Sequence, residues 1–369
     1  MKNELSLKFA VLKLIIIFLI LLLPFSNSYA QPETGERILS VALTLPETTD
    51  IGAGYDHAFR LAQSAGMKTP GEISFFWDEV ELKNIFGKIS YNMPFLELLK
   101  QFFKEFGMRP VITISPFETL NTRVPKDLRG LPLDSPKVIK RFSDFIRWVN
   151  SQTSEMDPLA IVIGNEFDLN FNHDPKKWEQ FKVLYINSVK LIHSLPGWEN
   201  APVALEATFP NLIGPDKKIL KEINRYSDII GASYYPVTNN KVDEFNVISS
   251  NLDKLESIYP DKQIDLYQYG YPSSEYLGSS EEKQRQFVEF SFNEWDRRKE
   301  KIRIITFTWL YDLDMDFLVT EAVRTTGLKP DRPFTEFLGT LGFLRRKAGD
   351  EKPAFVELKK QSRKRGWIK

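Results

Sequence analysis

Eight short apolar runs recur along the chain, and longer segments with a helical period separate them. The runs lie at 37–45, 71–77, 109–115, 159–165, 202–207, 228–234, 263–269 and 302–309. Most are nearly continuous in β-branched and aromatic residues, which is typical of parallel strands covered on both faces. They therefore predict eight buried strands.

Three of the intervening segments show the spacing of an amphipathic helix most clearly, with apolar residues every three to four positions. These segments are 93–107, 136–150 and 178–195. In the first, the predicted apolar stripe consists of Phe95, Leu98, Leu99, Phe102 and Phe103. A further helix is predicted to begin after Ser279 or Ser280, since serine is a preferred capping residue.

Alternating strands and helices predict an α/β fold, and eight such units fit a (β/α)8 TIM barrel. A doubly wound parallel sheet would show the same alternation. Because no linker rich in Pro, Gly or Ser divides the chain, we predict a single domain over residues 31–369.

The first 30 residues read as a secretory signal peptide, with basic residues, an apolar run at 14–23 and small residues before a cleavage point after Ala30. We therefore predict export to the periplasm or the medium. The alternative is an uncleaved membrane anchor, although the apolar stretch at 9–25 is interrupted by Lys13 and is marginal for a span of about 20 residues.

Composition narrows the chemistry. Lys plus Arg and Asp plus Glu both number 49, so no overall field favours nucleic acid as a partner. The absence of cysteine excludes disulfides and thiolate chemistry. The histidines, His57, His173 and His193, are too scattered to indicate a metal site, and the sequence contains no nucleotide-binding or zinc-protease motif. We expect neither a cofactor nor a metal.

In a (β/α)8 barrel the catalytic groups lie at the C-terminal ends of the strands. Here those ends are rich in aromatic, amide and carboxylate side chains. In chain order they are Trp77, Asp78, Glu81, Ser115, Asn165, Glu166, Glu206, Tyr234, Tyr235, Gln268, Tyr271, Trp309 and Asp312. Aromatic rings stack on the apolar faces of sugars while polar groups fix the hydroxyls. The pattern predicts a site for an oligosaccharide or polysaccharide, with Trp77, Asp78, Tyr271 and Asp312 among its binding residues.

Four of these strand ends and one later segment carry motifs that are typical of one protein family. They are Asn165-Glu166 after an apolar strand, GASYYP at 231–236, QYGYPSS at 268–274, FTWLYD at 307–312 and the segment 341–358. Together they resemble the retaining β-glycoside hydrolases of clan A, particularly the glycanase-like members, over nearly the whole chain after residue 30.

The resemblance implies a role for each matching position. Glu166 would be the general acid/base, and Asn165 would bind the sugar 2-hydroxyl. Trp309 would form the floor of the subsite, while Tyr234 or Tyr235 would contact the residue on strand seven.

Gln268 departs from the family pattern, which often has a glutamate at this position. Retaining hydrolysis requires a second carboxylate about 5 to 5.5 Å from the acid. An amide is neutral and its nitrogen lone pair is delocalised, so Gln268 cannot be that nucleophile. The arginine that the family often carries near the end of strand two is also not apparent at 74–81.

Three interpretations of Gln268 remain. The chain is a non-catalytic carbohydrate-binding relative; or a 2-acetamido group of the substrate attacks while Gln268 orients it; or another acid replaces it. The acids considered are Asp78, Glu206, Asp265 and Asp312. Asp265 is the weakest, because strand alternation points it away from Gln268. The sequence thus predicts a glycoside hydrolase-like protein acting on β-linked glycans, with a binding-only protein as the alternative.

Overall fold

The structure is a computed structural model, and it describes residues 36–48, 50–346 and 349–369. These residues belong to one compact unit. The signal peptide predicted for residues 1–30 lies outside the described residues. Within the described ranges, no helix combines the length and the apolar character that crossing a membrane requires.

Eight parallel strands form the centre of the molecule. They are β1 Ile38–Ala42, β2 Glu72–Phe76, β3 Val111–Glu118, β4 Ala160–Asn165, β5 Val203–Thr208, β6 Ile230–Tyr234, β7 Ile264–Tyr269 and β8 Ile302–Thr308. They are paired in the order β1-β8-β7-β6-β5-β4-β3-β2. At the remaining seam, Ser40 of β1 forms a single parallel bridge with Thr69, just before β2. All eight predicted strands are present, and the TIM-barrel arrangement is confirmed.

Among the described residues, eight helices cover the outside of this sheet. They are α1 Ile51–Ser64, α2 Leu96–Phe106, α3 Pro136–Thr153, α4 Pro175–Ile192, α5 Lys217–Ile223, α6 Phe245–Ile258, α7 Glu281–Arg297 and α8 Pro353–Lys364. Ser280 caps α7, since its hydroxyl accepts a hydrogen bond of 3.1 Å from the backbone N–H of Lys283. The first residue of the apolar stripe predicted for α2 does not belong to the helix. Phe95 precedes the helix with a φ of 63° and is exposed.

Shorter elements lie in the connections between these strands and helices. They comprise the strand pairs Glu81–Lys83 with Ile89–Tyr91 and Val237–Thr238 with Lys241–Val242, the strand Asn121–Thr122, the short helices Trp77–Val80, Asp168–Phe171 and Phe209–Ile213, and the 3-10 turns Ser154–Met156 and Glu275–Leu277.

A helical excursion between β8 and α8 covers the C-terminal mouth of the barrel. Its elements are Met315–Phe317, a π-helical turn at Leu318–Ala322, Val323–Thr326 and Arg332–Gly339. The excursion reaches the loop after β3, where the backbone N–H of Leu120 donates to the Thr326 carbonyl at 2.9 Å. Because this loop and β8 are not neighbours in the sheet, the excursion, which we call the roof, lies over the strand ends.

A buried ion pair occupies the N-terminal end of the barrel. Arg303 of β8 binds Asp265 of β7, with Nε 3.1 Å from Oδ1, and its Nη1 donates to the Leu159 carbonyl at 3.0 Å. Further along β7 the pairing with β6 shifts between Leu266 and Gln268, and Tyr267 and Gln268 then line the same cavity. This bulge invalidates the simple alternation predicted for β7. Asp265 is unavailable for catalysis because Arg303 holds it, not because it points away.

Candidate functional site

Two adjoining cavities meet at the C-terminal ends of the strands, beneath the roof, and one of them also reaches the start of β2 and the helices α1 and α2. The larger, about 280 Å³, includes Glu72 in its lining and is called the Glu72 lobe. The smaller, about 210 Å³, includes Glu166 and is called the Glu166 lobe. The two lobes share Glu118, Asn165, Gln268, Trp309 and Thr325. Shared lining residues make them parts of one site.

Glu166 directly follows β4 and is held by two hydroxyl groups. Ser233 of β6 donates to its Oε1 at 2.6 Å, and Thr119 donates to its Oε2 at 3.3 Å. Burial raises the pKa of Glu166 above its ordinary value, and the nearby charge of Asp168 adds to this effect. The two hydrogen bonds act in the opposite direction, because they stabilise the ionised carboxylate.

Backbone strain accompanies this arrangement. Glu166 and Thr119, which are hydrogen-bonded to each other, both have a left-handed φ, 45° and 51° respectively. Gly164, two residues before the glutamate, has a φ of 77° and packs against Phe167. A left-handed conformation is costly for a β-branched residue such as threonine and persists where surrounding contacts enforce it. Such strain concentrates at functional sites.

Gln268 is fixed as an amide by its neighbours. Its Oε1 accepts from the Tyr235 hydroxyl at 2.7 Å, while its Nε2 donates to Oδ1 of Asn165 at 2.9 Å. Asn165 in turn donates from Nδ2 to Oε1 of Glu118 at 2.8 Å. The network therefore links β3, β4, β6 and β7 across the mouth of the barrel, and it uses both ends of the Gln268 amide.

Three further carboxylates surround this network. Burial raises the pKa of Glu118 well above its usual value, and the charges of Glu166 and Glu72 raise it further. Burial likewise raises the pKa of Glu206, on β5, well above its usual value, with the charge of Glu72 as the next cause. Burial raises the pKa of Glu72, on β2, to about 7, partly offset by a hydrogen bond from Thr113. The site is thus rich in carboxyl groups that favour protonation.

Metal binding finds no support in this arrangement. Over the described ranges, no group of three or more acidic, histidine or cysteine side chains is placed to hold a metal ion.

Of the residues predicted from the sequence, the structure brings together Glu166, Asn165, Gln268, Tyr235 and Trp309. Tyr235 is the one of the two tyrosines that contacts the strand-seven residue. Trp309 lines both lobes, and its indole N–H has no hydrogen-bond partner among the described residues.

The other predicted binding residues point elsewhere, and two of them leave the site at the end of β2. Trp77 is fully buried and packs on Phe142 of α3, with ring centroids 4.9 Å apart. Asp78 binds Arg129 at 2.8 Å. Since the short helix Trp77–Val80 turns the chain outward, neither residue lines a lobe.

Three more corrections concern β6, β7 and β8. Tyr234 stacks on Phe209 with ring centroids 3.8 Å apart, on the outer face of the sheet. The Tyr271 hydroxyl donates to the Asp243 carbonyl at 3.1 Å, away from both lobes. Asp312 is held by Lys352 at 2.6 Å. Of the four acids considered as replacements, only Glu206 lies near Glu72, Glu118 and Glu166, with which it forms a carboxylate cluster, and it lines neither lobe.

Glu118 and Glu72 were not recognised from the sequence. Strand three was expected to end at Ser115, where the apolar run at 109–115 ends, but β3 continues to Glu118. For Glu72 a signal was present: the alternation in EISFF puts Glu72, Ser74 and Phe76 on one face of β2.

Comparison with known proteins supports the fold. No protein-family model matches the sequence, and no curated protein matches it. Among solved structures, GH5_18 from Streptomyces cattleya, in complex with GlcNAc, aligns with a TM-score of 0.66 at 13% identity over 90% of this chain and 81% of its own.

Two other structures align over a smaller share of their length. A family 39 glycoside hydrolase from Bacteroides cellulosilyticus WH2 has a TM-score of 0.60 at 14% identity, over 89% of this chain and 64% of its own. An FMN-binding β-glucuronidase from Facaelibacterium prausnitzii L2-6 has a TM-score of 0.59 at 12% identity, over 91% of this chain and 44% of its own. This chain therefore spans less than two thirds of either protein. The predicted resemblance to clan A is confirmed in the fold, which is the TIM barrel that these glycoside hydrolases share.

Proposed function

We propose that this protein acts on β-linked glycans in the two-lobed site, with Glu166 as the general acid/base. The observation that carries the proposal is the state of Glu166: it is enclosed at the end of β4, and burial raises its pKa. A general acid must hold its proton near the operating pH, and enzymes raise the pKa of such glutamates by burial.

The neighbouring groups suit both stages of a proton transfer. While Glu166 is protonated, its carboxyl donates to the oxygen of the leaving sugar. After transfer, the hydroxyls of Ser233 and Thr119 donate to the two carboxylate oxygens. These bonds stabilise the charge that forms and keep the group oriented for the return step.

Sugar binding is assigned to Trp309 and Asn165. The indole ring of Trp309 offers an apolar surface for the face of a sugar, and its N–H has no hydrogen-bond partner among the described residues. Asn165 already bonds to Glu118 and Gln268, so its position is fixed before a ligand arrives. Preorganised groups of this kind lower the cost of binding.

Attack on the anomeric carbon is not assigned to Gln268. In the proposed reaction, the carbonyl oxygen of a substrate 2-acetamido group attacks the anomeric carbon, and the bond to the leaving oxygen breaks as Glu166 protonates that oxygen. Water then opens the resulting ring, and Glu166 takes a proton from the water. Gln268, held by Tyr235, would orient the acetamido group.

A second candidate function is glycan binding without turnover, and the Gln268 network favours it. Both ends of the amide are hydrogen-bonded within the protein, and no carboxylate replaces it on β7. A protein that retains the aromatic surface and Asn165 would bind sugars under this alternative, with Glu166 serving as a hydrogen-bonding group.

The deciding experiment uses the purified mature protein and β-linked oligosaccharides with and without 2-acetamido groups. Release of reducing ends is measured for the wild type and for Glu166→Gln. We expect hydrolysis of the N-acetylated glycans, and a loss of about 10²- to 10⁴-fold in the variant. Binding by the wild type with no turnover of any glycan would favour the second function.

Gln268→Glu tests the missing nucleophile directly. If the loss of that carboxylate alone separates this site from a retaining glycosidase, the variant gains activity on glycans that lack an acetamido group. A variant that is folded and inactive on those glycans would contradict this explanation.

We also propose that the protein is exported, on the basis of the sequence of residues 1–30. Cell fractionation followed by N-terminal sequencing should find a mature chain that begins at Gln31. A membrane-bound chain with its original N-terminus would support the anchor instead.

A further inference from the structure

The Glu72 lobe has acidic groups in its lining and no basic ones. Glu72 and Glu118 both line it, and the described lining residues include no Lys, Arg or His. The same is true of the described lining of the Glu166 lobe, which adds Glu166. No basic side chain in the described cavity walls therefore compensates these carboxyl groups when they ionise.

Three buried carboxylates elsewhere in the molecule are each paired with a basic side chain. Asp265 is bound by Arg303, Glu81 by Arg141, and Asp312 by Lys352. An unpaired buried charge is costly, which is why proteins normally pair such groups. Arg123 partly offsets the raised pKa of Glu118, but its guanidinium is bonded to Glu79 at 2.8 Å and does not line the lobe.

Unused hydrogen-bonding atoms point to a ligand. Glu118 is 5% exposed, and its Oε2 has no hydrogen-bond partner among the described residues, while its Oε1 is taken by Asn165. The Thr306 hydroxyl, also buried and lining the Glu72 lobe, has none either. Two residues that line this cavity, Glu118 and Thr306, therefore each carry a buried polar atom without a hydrogen-bond partner among the described residues.

We propose that the Glu72 lobe binds a sugar unit that carries a free 2-amino group, with its ammonium placed between Glu118 and Glu72. The inference rests on the proposed function, because it assumes that the site binds a β-linked glycan. An ammonium group supplies both the positive charge and the N–H donors that these oxygens lack.

The shape and the remaining walls agree with a sugar. A volume of about 280 Å³ lies near the lower end of the range for small-molecule sites, which suits one sugar unit. Tyr55, Phe76 and Trp309 line the lobe and offer apolar contact for a sugar ring. A calcium ion would instead require six to eight oxygen ligands, and these aromatic walls do not supply them. The natural ligand is therefore a β-linked glycan that is at least partly free of N-acetyl groups.

The test compares three β-1,4-linked oligosaccharides of equal length, built from glucosamine, N-acetylglucosamine or glucose. Calorimetry measures their binding to the wild type and to Glu118→Gln. A charge-assisted hydrogen bond contributes enough to expect a preference of about 10- to 100-fold for the glucosamine form. Glu118→Gln should reduce that preference to a few-fold, because the amide keeps the bond from Asn165 but loses the charge.

Glu206→Gln is the matched control. It removes one carboxylate from the same cluster, but from a side chain that lines neither lobe, so most of the preference should remain. Equal losses in both variants would overturn direct contact with Glu118. Thermal unfolding of each variant confirms that it is folded.

The two proposals fail in different ways. Binding of the neutral glycans as tightly as the glucosamine form would overturn the amine assignment and leave the proposed function intact. Failure to bind any of the three, with wild type and Trp309→Ala behaving alike, would overturn the proposed function itself.

Discussion

Two regions of this barrel differ in whether their buried carboxyl groups are paired with a basic side chain. At the N-terminal end, Asp265 on β7 is matched by Arg303 on β8. Towards the C-terminal end, Glu118 and Glu166 lie near two carboxyl groups of the barrel interior, Glu72 at the start of β2 and Glu206 within β5, and burial raises the pKa of each of the four. The first arrangement is complete within the chain, whereas the second is completed by protons or by a ligand.

The same core thus contains a carboxylate that is paired with a basic side chain and carboxyl groups that are not. A paired charge fixes two strands relative to each other and has nothing left to offer a ligand. An unpaired carboxylate in a cavity costs stability when it ionises, and that cost is recovered when a cation or a proton arrives. We therefore expect the removal of a carboxylate to lower the free energy of unfolding in the paired region, and to leave it unchanged or raise it in the unpaired region.

Breaking the N-terminal pair should have the largest effect on stability. Asp265→Leu leaves the Arg303 guanidinium buried without its partner, and we expect the free energy of unfolding to fall by about 3–5 kcal/mol. Denaturant titration measures this. The double variant Asp265→Leu with Arg303→Met should regain most of the loss, and a double variant as unstable as the single one would contradict the explanation.

The carboxylate cluster should make the free energy of unfolding fall as pH rises. Burial raises the pKa of Glu72 from 4.5 to about 7 in the folded protein, so its contribution is fully present below pH 4.5 and is lost as pH approaches 7. The slope is up to about 1.4 kcal/mol per pH unit for one group. Unfolding titrations at pH 5 and pH 8 should show the decrease, and Glu72→Gln should reduce it. A slope that Glu72→Gln leaves unaltered would assign it to other groups.

Adding a carboxylate at Gln268 should make the free energy of unfolding depend more strongly on pH. Gln268→Glu loses the amide donor to Asn165 and brings another negative charge towards Glu118 and Glu206. We expect a loss of about 1–3 kcal/mol at pH 8. At pH 5 the loss should be smaller, since a protonated glutamate can donate to Asn165. An equal loss at both pH values would show that packing, not charge, is responsible.

The smallest change is expected from Glu206→Gln. Because removing an uncompensated buried charge is neutral or favourable, stability at pH 8 should stay within about 1 kcal/mol of the wild type or rise. Comparison with Asp265→Leu under the same conditions is the measurement. A loss as large as that of Asp265→Leu would mean that Glu206 is as firmly paired as Asp265.

The fold was predictable because burial leaves a direct trace in the sequence. Strands such as β4 and β8 are covered on both faces, so their runs are almost continuously apolar. Phe95 was misassigned for the same reason, since an apolar side chain in phase with a helix was taken to belong to it. In the structure it stands before the first turn with a left-handed φ.

Site residues were predictable only where the predicted strand end matched the end of the strand in the structure. Glu166 and Gln268 follow from their strands, but Tyr234 and Tyr235 are adjacent and face opposite sides of the sheet, and sequence alone did not give the phase. Glu118 was missed because it lies three residues beyond the apolar run at 109–115 that predicted strand three. In the structure β3 continues beyond Pro116, with a shifted register against β4.

The segment after the roof has a consequence for the order of biosynthesis. Lys352 is buried and binds Asp312, and the backbone N–H of Phe343 donates to the Trp309 carbonyl at 3.2 Å. These contacts fix the loop that carries Trp309, yet the ribosome adds residues 341–352 after all eight strands have been made. A nascent chain halted before residue 341 has every strand of the barrel but lacks these supports. The residues that support the loop carrying Trp309 are therefore synthesised later than all eight strands of the barrel.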